Sequence, residues 1–274
     1  MQNVSVVIVN YNAGAELQHC IAAITSDVDE IILVDNDSSD GSQHHLSEAF
    51  VKLSLLQNKQ NIGFGAAVNQ AVSTCKPENH ILIINPDCQL HTGALKTLVN
   101  TLNTDKKIGL IAPLVFDGNG KEQSGSRRHL PTPWRLLKYA CGLKRAIDLR
   151  SEPMPKAEYE YPAVSGACML VRRNAWDTVG KMDQQFFLHF EDLDLMNSLR
   201  LVGFTIFIQP LAKATHTGGV SSSKKPLKVL WHKHYSLQKY LLKYYRSNIL
   251  TWTLLPVINM VHFLLKGLLL RIRS

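Results

Sequence analysis

Three carboxylates in four residues, Glu191, Asp192 and Asp194, follow the run Phe186-Phe187-Leu188-His189-Phe190. Burial among aromatic rings disfavours ionisation, and crowding of like charges raises at least one carboxyl pKa. A carboxylate in such surroundings is a usable general base. A solvated helix face is the plainer alternative, but three phenylalanines rarely introduce one.

Four more polar clusters carry chemistry-bearing types. Asp35-Asn36-Asp37 can hold a pyrimidine base through its ring N–H, or cap a helix together with Ser38, Ser39 and Asp40. In Asn61-Ile62-Gly63-Phe64-Gly65-Ala66-Ala67-Val68-Asn69 the two glycines let the backbone approach a ligand, and the following helix offers N–H groups to phosphate. The third glycine and the preceding strand of a dinucleotide fingerprint are missing, which disfavours hydride transfer. Asn85-Pro86-Asp87 offers one carboxylate, and Mg2+ is commonly held by one or two, with water and substrate phosphates completing its shell; an Asx turn is the alternative. His216-Thr217-Gly218-Gly219-Val220-Ser221 places an imidazole in a glycine-rich loop, fit to complete a metal shell or touch a diphosphate. A lone histidine is more often structural.

These clusters need elements to position them. Val4–Val9, Ile31–Val34, Leu53–Gln57 and Ile81–Ile84 read as buried strands, and Leu17, Ile21 and Ile24 recur at helical spacing, as does Ala66–Ser73. Each strand stops at a polar cluster. In open parallel sheets ligands bind beyond the carboxyl ends of the strands, so the clusters are expected to share one site. Residues 117–162 read as long loops with a short helix near 134–141, a length that suits part of a site or a lid. Val164–Val171 reads as one strand, Glu191–Leu201 as a helix closed by Gly203, and Thr205–Gln209 as another strand.

The charge is segregated. All 22 acidic residues lie at or before Asp194, whereas the last 80 residues carry 12 of the 30 Lys and Arg and no acid. A basic tail is expected to face a polyanion. On a helical wheel Lys225, Lys228, His232, Lys239, Lys243 and Arg246 form one stripe, opposite Leu227, Leu230, Leu237, Leu241 and Tyr244. Residues 248–265 are mostly apolar but broken by Pro256, Asn259 and His262, which favours an interfacial hairpin over a membrane span; packing of both helices on the domain is the alternative. Five scattered cysteines, Cys20, Cys75, Cys88, Cys141 and Cys168, suggest neither a disulfide framework nor a zinc ribbon and fit a reduced cytoplasm. The N-terminus begins directly on a strand-like run, with no secretory signal expected.

Taken in order, VVIVNYN, VDNDSSDGS, NIGFGAAVN, NPD, VSGACMLVRR, FFLHFEDLDL and HTGGVSS resemble the family 2 glycosyltransferases, in particular the bacterial rhamnosyltransferase-like branch, over about residues 4–221. The resemblance implies an α/β fold of the GT-A type, with a mostly parallel sheet over residues 1–223 and a basic, apolar helical tail over residues 224–274. It implies an inverting, Mg2+- or Mn2+-dependent enzyme taking a dTDP- or UDP-sugar, dTDP-rhamnose foremost. The acceptor it implies is a saccharide, lipid-linked or not, at an anionic membrane on the cytoplasmic side. It further implies that Asp35, Asp37, Asn10, Tyr11, Gly65, Asn69 and Asn85 bind the nucleotide. Asp87 and His216 would hold the metal, Ser165, Gly166, Ala167 and Glu191 would shape the sugar and acceptor site, Arg127 and Arg128 would touch the diphosphate, and Asp192 would be the base. Asn85 stands where the family's DxD motif has its first carboxylate.

Two other classes are set against this. A sugar nucleotidyltransferase needs a basic glycine-rich loop after the first strand, and Asn10-Tyr11-Asn12-Ala13-Gly14 has no basic residue. A non-enzymatic membrane- or nucleic-acid-binding scaffold leaves the Glu191-Asp192 pair idle; no nucleic-acid partner is expected.

Overall fold

A computed structural model describes residues 3–44, 46–218 and 226–272. The expected domain boundary at 223/224, Gly219, Val220 and Ser221 of the glycine-rich loop, and Lys225 of the basic stripe lie outside the described residues.

The chain runs β1 (Val4–Asn10), α1 (Glu16–Ile24), β2 (Glu30–Asp35), α2 (Leu46–Ala49), β3 (Leu53–Gln57), α3 (Phe64–Val72), β4 (His80–Ile84), β5 (Cys88–Leu90), α4 (Ala94–Thr104) and β6 (Ile108–Phe116). It continues through β7 (Arg127–Arg128), α5 (Pro133–Ala140), β8 (Tyr159–Glu160), β9 (Ala163–Val164), β10 (Cys168–Val171), α6 (Arg173–Val179), α7 (Glu191–Leu201) and β11 (Thr205–His216). Helices α8 (Pro226–Tyr245), α9 (Ile249–Trp252) and α10 (Leu254–Ile272) follow.

The main sheet has the order β3-β2-β1-β4-β10-β6-β11-β5, with β8 pairing on β11. Strands β1 to β4 are mutually parallel, as are β6 and β11, while β10 runs antiparallel between β4 and β6. Both faces of the sheet are covered, so the strands read as continuous apolar runs. Strand periodicity sends alternate residues to opposite layers. Val7 and Val9 of β1 join a core with α3, α6, α7 and Tyr240 of α8. Val6 and Ile8 join one with Leu17 and Ile21 of α1 and Leu98 and Leu102 of α4.

Three expectations are corrected here. Val164–Val171 is two strands: β9 pairs with β7 in a separate two-stranded sheet, and the chain breaks at Ser165-Gly166-Ala167 before β10. The strand from Thr205 does not end at Gln209; a register shift around Pro210 lets it resume and reach His216. Proline cannot donate to the ladder, and a bulge absorbs it.

The third concerns the basic stripe, which does not lie open to solvent. Lys243 bonds Asp183 at 2.8 Å and Asp194 at 2.7 Å, Lys239 donates to the Gln185 carbonyl, and His232 stacks on Phe187 with ring centroids 4.6 Å apart. Tyr240 is fully buried in the core. The acidic carboxyl end of the body thus neutralises part of the stripe. Helix α10 packs on α8 through its polar side: His234 and Asn259 bond each other, and His262 Nδ1 lies 3.2 Å from His234 Nε2. The face turned outward is the apolar one, with Leu254, Val257, Met260, Val261, Leu264, Leu265, Leu268 and Leu269 all exposed. Among the described residues no helix is long and apolar enough to cross a membrane.

Candidate functional site

The rim where β1, β2 and β4 end gathers most of the predicted clusters. At β1 and β2, the Asn10 amide donates to Asp35 Oδ1 at 2.8 Å and to Ser38 and Ser42 Oγ, while the Ser38 N–H donates to Asp35 Oδ2. Asp35 is 2% exposed. Its carboxylate is held in one orientation at the strand end, and each oxygen keeps a second lone pair. Tyr11 is half-buried beside this network, and Asp37, with φ +70°, is exposed at the turn. Asn36 is buried and joins β2 to the next loop, accepting from Ile62 N–H and Asn58 and donating to Asn61.

Beyond β4, Asp87 Oδ1 lies 3.0 Å from His216 Nε2, and Asn85 Nδ2 lies 3.4 Å from the same nitrogen. The pairing of β5 with β11 sets this contact, since His216 stands opposite Cys88. Gln123 was not anticipated: its Nε2 donates to the His216 carbonyl, which fixes its Oε1 as the acceptor for His216 Nδ1–H at 2.8 Å. The other ring nitrogen therefore faces Asp87 and Asn85. Nothing in the sequence marked Gln123, which lies in the weakly periodic stretch after Phe116. One carboxylate oxygen, one imidazole nitrogen and one amide fit a hard divalent cation that takes its remaining ligands from water and phosphates. Among the described residues no group of three or more His, Cys, Asp or Glu side chains comes together.

Asp192 reaches the same rim through the break before β10. The Asn85 N–H donates to the Ala167 carbonyl at 2.8 Å, and a Cβ on Gly166 would meet Asp192 Oδ2 at 2.6 Å. Only glycine lets the carboxylate lie against this turn. Ser165 Oγ accepts from Ala167 N–H and closes it. The Asp192 side chain is 17% exposed, and its Oδ2 accepts from Arg128 Nη2 at 2.5 Å. His189 and Phe190, immediately before α7, both have left-handed backbones, φ +66° and +72°. Such strain outside glycine collects at functional positions, where the surrounding structure holds it. Burial, and next the charge of Lys233, push the His189 pKa down to about 4, so the imidazole is neutral at pH 7.

The three acidic residues of α7 have separate fates. Asp194 is buried on Lys243 and Tyr244 and anchors α8. Glu191 is 6% exposed and packs beneath Gly65, whose Cβ position lies 3.6 Å from its own. Burial, and next the neighbouring Asp192, push the Glu191 pKa up to about 8. The crowding read from the sequence thus falls on Glu191, which turns to α3 rather than toward an acceptor. Its folded pKa exceeds the ordinary carboxylate value, so the stability it leaves intact at pH 4.5 declines as pH rises toward 8. Glu191→Gln is expected to melt higher than wild type by a margin that widens by a few degrees between pH 5 and pH 8.5, because about 1 kcal/mol moves Tm roughly 2–4 °C at this size. A margin independent of pH in calorimetry would contradict this ionisation.

Several predicted contacts lie elsewhere. Asn69 spends its amide on the main chain of Met182, donating to the carbonyl and accepting from the N–H. Gly65 gives close packing against Met182 and Glu191, and the Phe64 N–H at the start of α3 donates to the Phe187 carbonyl. The glycine segment thus docks α3 on the chain before α7. Arg127 is 1% exposed and is bound by Glu122 and by carbonyls of Arg150, Glu152 and Pro153, so it braces the 117–162 segment instead of a diphosphate. Its neighbour Arg128 holds Asp192. A recess of about 420 Å³ at the other side of the sheet, lined by His80, Lys106, Arg172, Arg173, Asn174 and Asp177, includes none of the rim carboxylates.

Residues 5–180 match the family described as Glycosyl transferase family 2. The chain belongs to that family. Family 2 relatives include the N-acetylglucosaminyl-diphospho-decaprenol L-rhamnosyltransferase of Mycobacterium tuberculosis, 27% identical over 250 residues, 84% of this chain and 81% of the relative. The low-salt glycan biosynthesis hexosyltransferase Agl10 of Haloferax volcanii is 21% identical over 227 residues, 82% of this chain and 70% of the relative. Among solved structures, GalNAc-T7 with UDP, GalNAc and Mn2+ superposes with a TM-score of 0.60 at 17% identity, covering 78% of this chain and 43% of that one. S. aureus TarS residues 1-349 gives 0.56 at 14% identity, covering 89% and 73%. These likenesses show the GT-A fold.

Proposed function

We propose that this family 2 glycosyltransferase is a metal-dependent, inverting enzyme that moves a hexose, rhamnose from dTDP-rhamnose foremost, onto a lipid-linked saccharide at a membrane surface. The contiguity of Asp192, the Gly166-Ala167 turn and the Asn85–Asp87 turn carries this reading. It sets a half-exposed carboxylate one turn away from a cation site. Asp35, at the neighbouring strand end, is placed to accept the ring N–H of a pyrimidine. Asp87 and His216, with Asn85 beside them, would hold Mg2+ or Mn2+, which when bound offsets the charge on a departing diphosphate. Asp192 takes the proton from an acceptor hydroxyl, whose oxygen attacks the anomeric carbon from the face opposite the diphosphate. Glu191 faces α3, so α7 offers no second carboxylate as a nucleophile, and a single displacement inverts the centre.

A thermal-shift panel of nucleotide sugars with and without Mg2+ or Mn2+ tests the donor half. A donor at 100 times its dissociation constant should stabilise the fold by about 2.7 kcal/mol. The shift should require the cation and vanish in Asp87→Asn; a metal-independent shift of equal size would defeat the reading.

The relative from Mycobacterium tuberculosis is named for a lipid-linked acceptor, and the outward face of α10 suits a bilayer surface. A contiguous apolar patch of this extent is uncommon on a free monomer and marks an interaction site. An amphipathic helix of this kind lies in the interface with its apolar side down. Removing the tail would strip Tyr240 from the core, so the sharper test is Leu264→Asp with Leu268→Asp. That variant is expected to stay in the supernatant when wild type sediments with phospholipid vesicles; equal sedimentation would exclude α10 as the contact.

A further inference from the structure

The cations beside Asp192 have no part in the mechanism above, and they come from three separate elements. Arg128 stands on β7, with Nε on the Val164 carbonyl and Nη2 on Asp192. A guanidinium has five N–H donors, so the fork keeps donors beyond these two contacts. Lys233 stands on α8 between His232, which stacks on Phe187, and His234, which bonds His262 of α10. Lys266 is one helical turn beyond His262. The three are close enough to repel one another: desolvation, and next the like charges of Arg128 and Lys266, lower the Lys233 pKa. Lys233 and Lys266 are nonetheless exposed, and no carboxylate pairs with either among the described contacts. Gathering like charges costs stability, and an anion between them returns it.

We infer that Arg128, Lys233 and Lys266 form a binding site for the diphosphate of the acceptor, an isoprenoid-diphosphate-linked saccharide. This rests on the transferase reading given above. The location selects the ligand. A base must touch the acceptor hydroxyl, so an anion read at the shoulder of Asp192 has to arrive joined to the sugar that carries that hydroxyl. Bulk lipid headgroups have no such tether. From Lys266 the exposed row Leu264, Leu265, Leu268 and Leu269 and the exposed Trp231 lead away along the outward face, the direction an isoprenoid chain needs to enter a bilayer. Cation cluster and apolar row thus match the two parts of one amphiphile.

The test compares two synthetic acceptors in neutral phosphatidylcholine vesicles: a sugar joined through a diphosphate to a farnesyl chain, and the farnesyl glycoside of the same sugar without phosphates. Charge-assisted hydrogen bonds of this kind are each worth about tenfold in affinity, so wild type should show a KM at least about tenfold lower for the diphosphate acceptor. Lys233→Ala with Lys266→Ala should bring the two KM values together, and Lys233→Glu with Lys266→Glu should reverse their order. Retention of the wild-type ratio in both variants overturns the assignment. So does loss of the wild-type preference when phosphatidylglycerol replaces part of the phosphatidylcholine, since the cluster would then read surface charge. Transfer to the phosphate-free glycoside holds the transferase reading in place whichever way the diphosphate comparison falls.

Discussion

Asp192→Asn is expected to lower the rate of sugar transfer by about 10²–10⁴-fold, the contribution of a positioned general base, while the KM for the donor changes by less than about twofold. The substitution keeps the shape that Gly166 accommodates and an oxygen for the Leu193 N–H, which now bonds Asp192 Oδ1 at 2.8 Å. What it removes is the ability to take a proton. It also removes the charge that Arg128 pairs with, so Arg128→Gln made alongside it separates the two effects. If the ion pair only held α7 in place, the two single variants would lose activity equally. If Asp192 is the base, Arg128→Gln keeps turnover well above Asp192→Asn, and its loss shows chiefly in the acceptor KM. Donor binding, read by thermal shift with the cation, should survive in Asp192→Asn because Asp35, Asp87 and His216 stand on other elements. A variant that still transfers at more than about a tenth of the wild-type rate would refute the role, since a base is worth at least tenfold more than that.

The parallel part of the sheet was legible because strands buried on both faces have no choice of residue type: Val4–Asn10 and His80–Ile84 read as unbroken apolar runs. The polar residues at their ends were legible for the same reason, since polarity begins where burial stops. Positions whose meaning depends on a distant partner were not. The glycines of 61–69 suit a phosphate loop as well as they suit close packing, and only the chain at 182–191 decides for packing. Arg127 and Arg128 looked alike in sequence, yet adjacent residues on a strand face opposite sides, so one went to the interior and one to Asp192. The basic stripe of α8 was correctly periodic, but periodicity does not say which face meets the body, and Asp183 and Asp194 drew it inward. His216 was suspected in isolation. Its pairing with Asp87 needed a strand that continues past Pro210, where proline read alone argues for an end.

Arg127→Met is expected to destabilise the fold by about 3–5 kcal/mol, because it leaves the carboxylate of a buried ion pair without its partner. Glu122 is 10% exposed in its side chain and meets the guanidinium through both oxygens, at 2.7 and 2.8 Å. The remaining donors reach the carbonyls of Arg150, Glu152 and Pro153 and the hydroxyl of Tyr161. One side chain therefore ties residues 122, 150–153 and 161, three points of a segment that is otherwise short of regular structure. A long connection of this kind has a large conformational entropy to overcome, and a single polar hub closes it at several places at once. Arg127→Lys keeps the charge but presents no fork, so it should lie between wild type and Arg127→Met. Adding Glu122→Gln to Arg127→Met should recover part of the loss, as the stranded charge is what costs most. Urea unfolding measures the sizes, and limited proteolysis between residues 141 and 160 should accelerate in the same order. The effect reaches the active site because Arg128 follows directly on β7: when the brace fails, the strand that holds Arg128 against Asp192 loses its register with β9. Equal stability of Arg127→Met and wild type would mean that the segment is held by its apolar contacts, Leu130, Leu149 and Tyr161 in the core, and that Arg127 fills a space it does not organise.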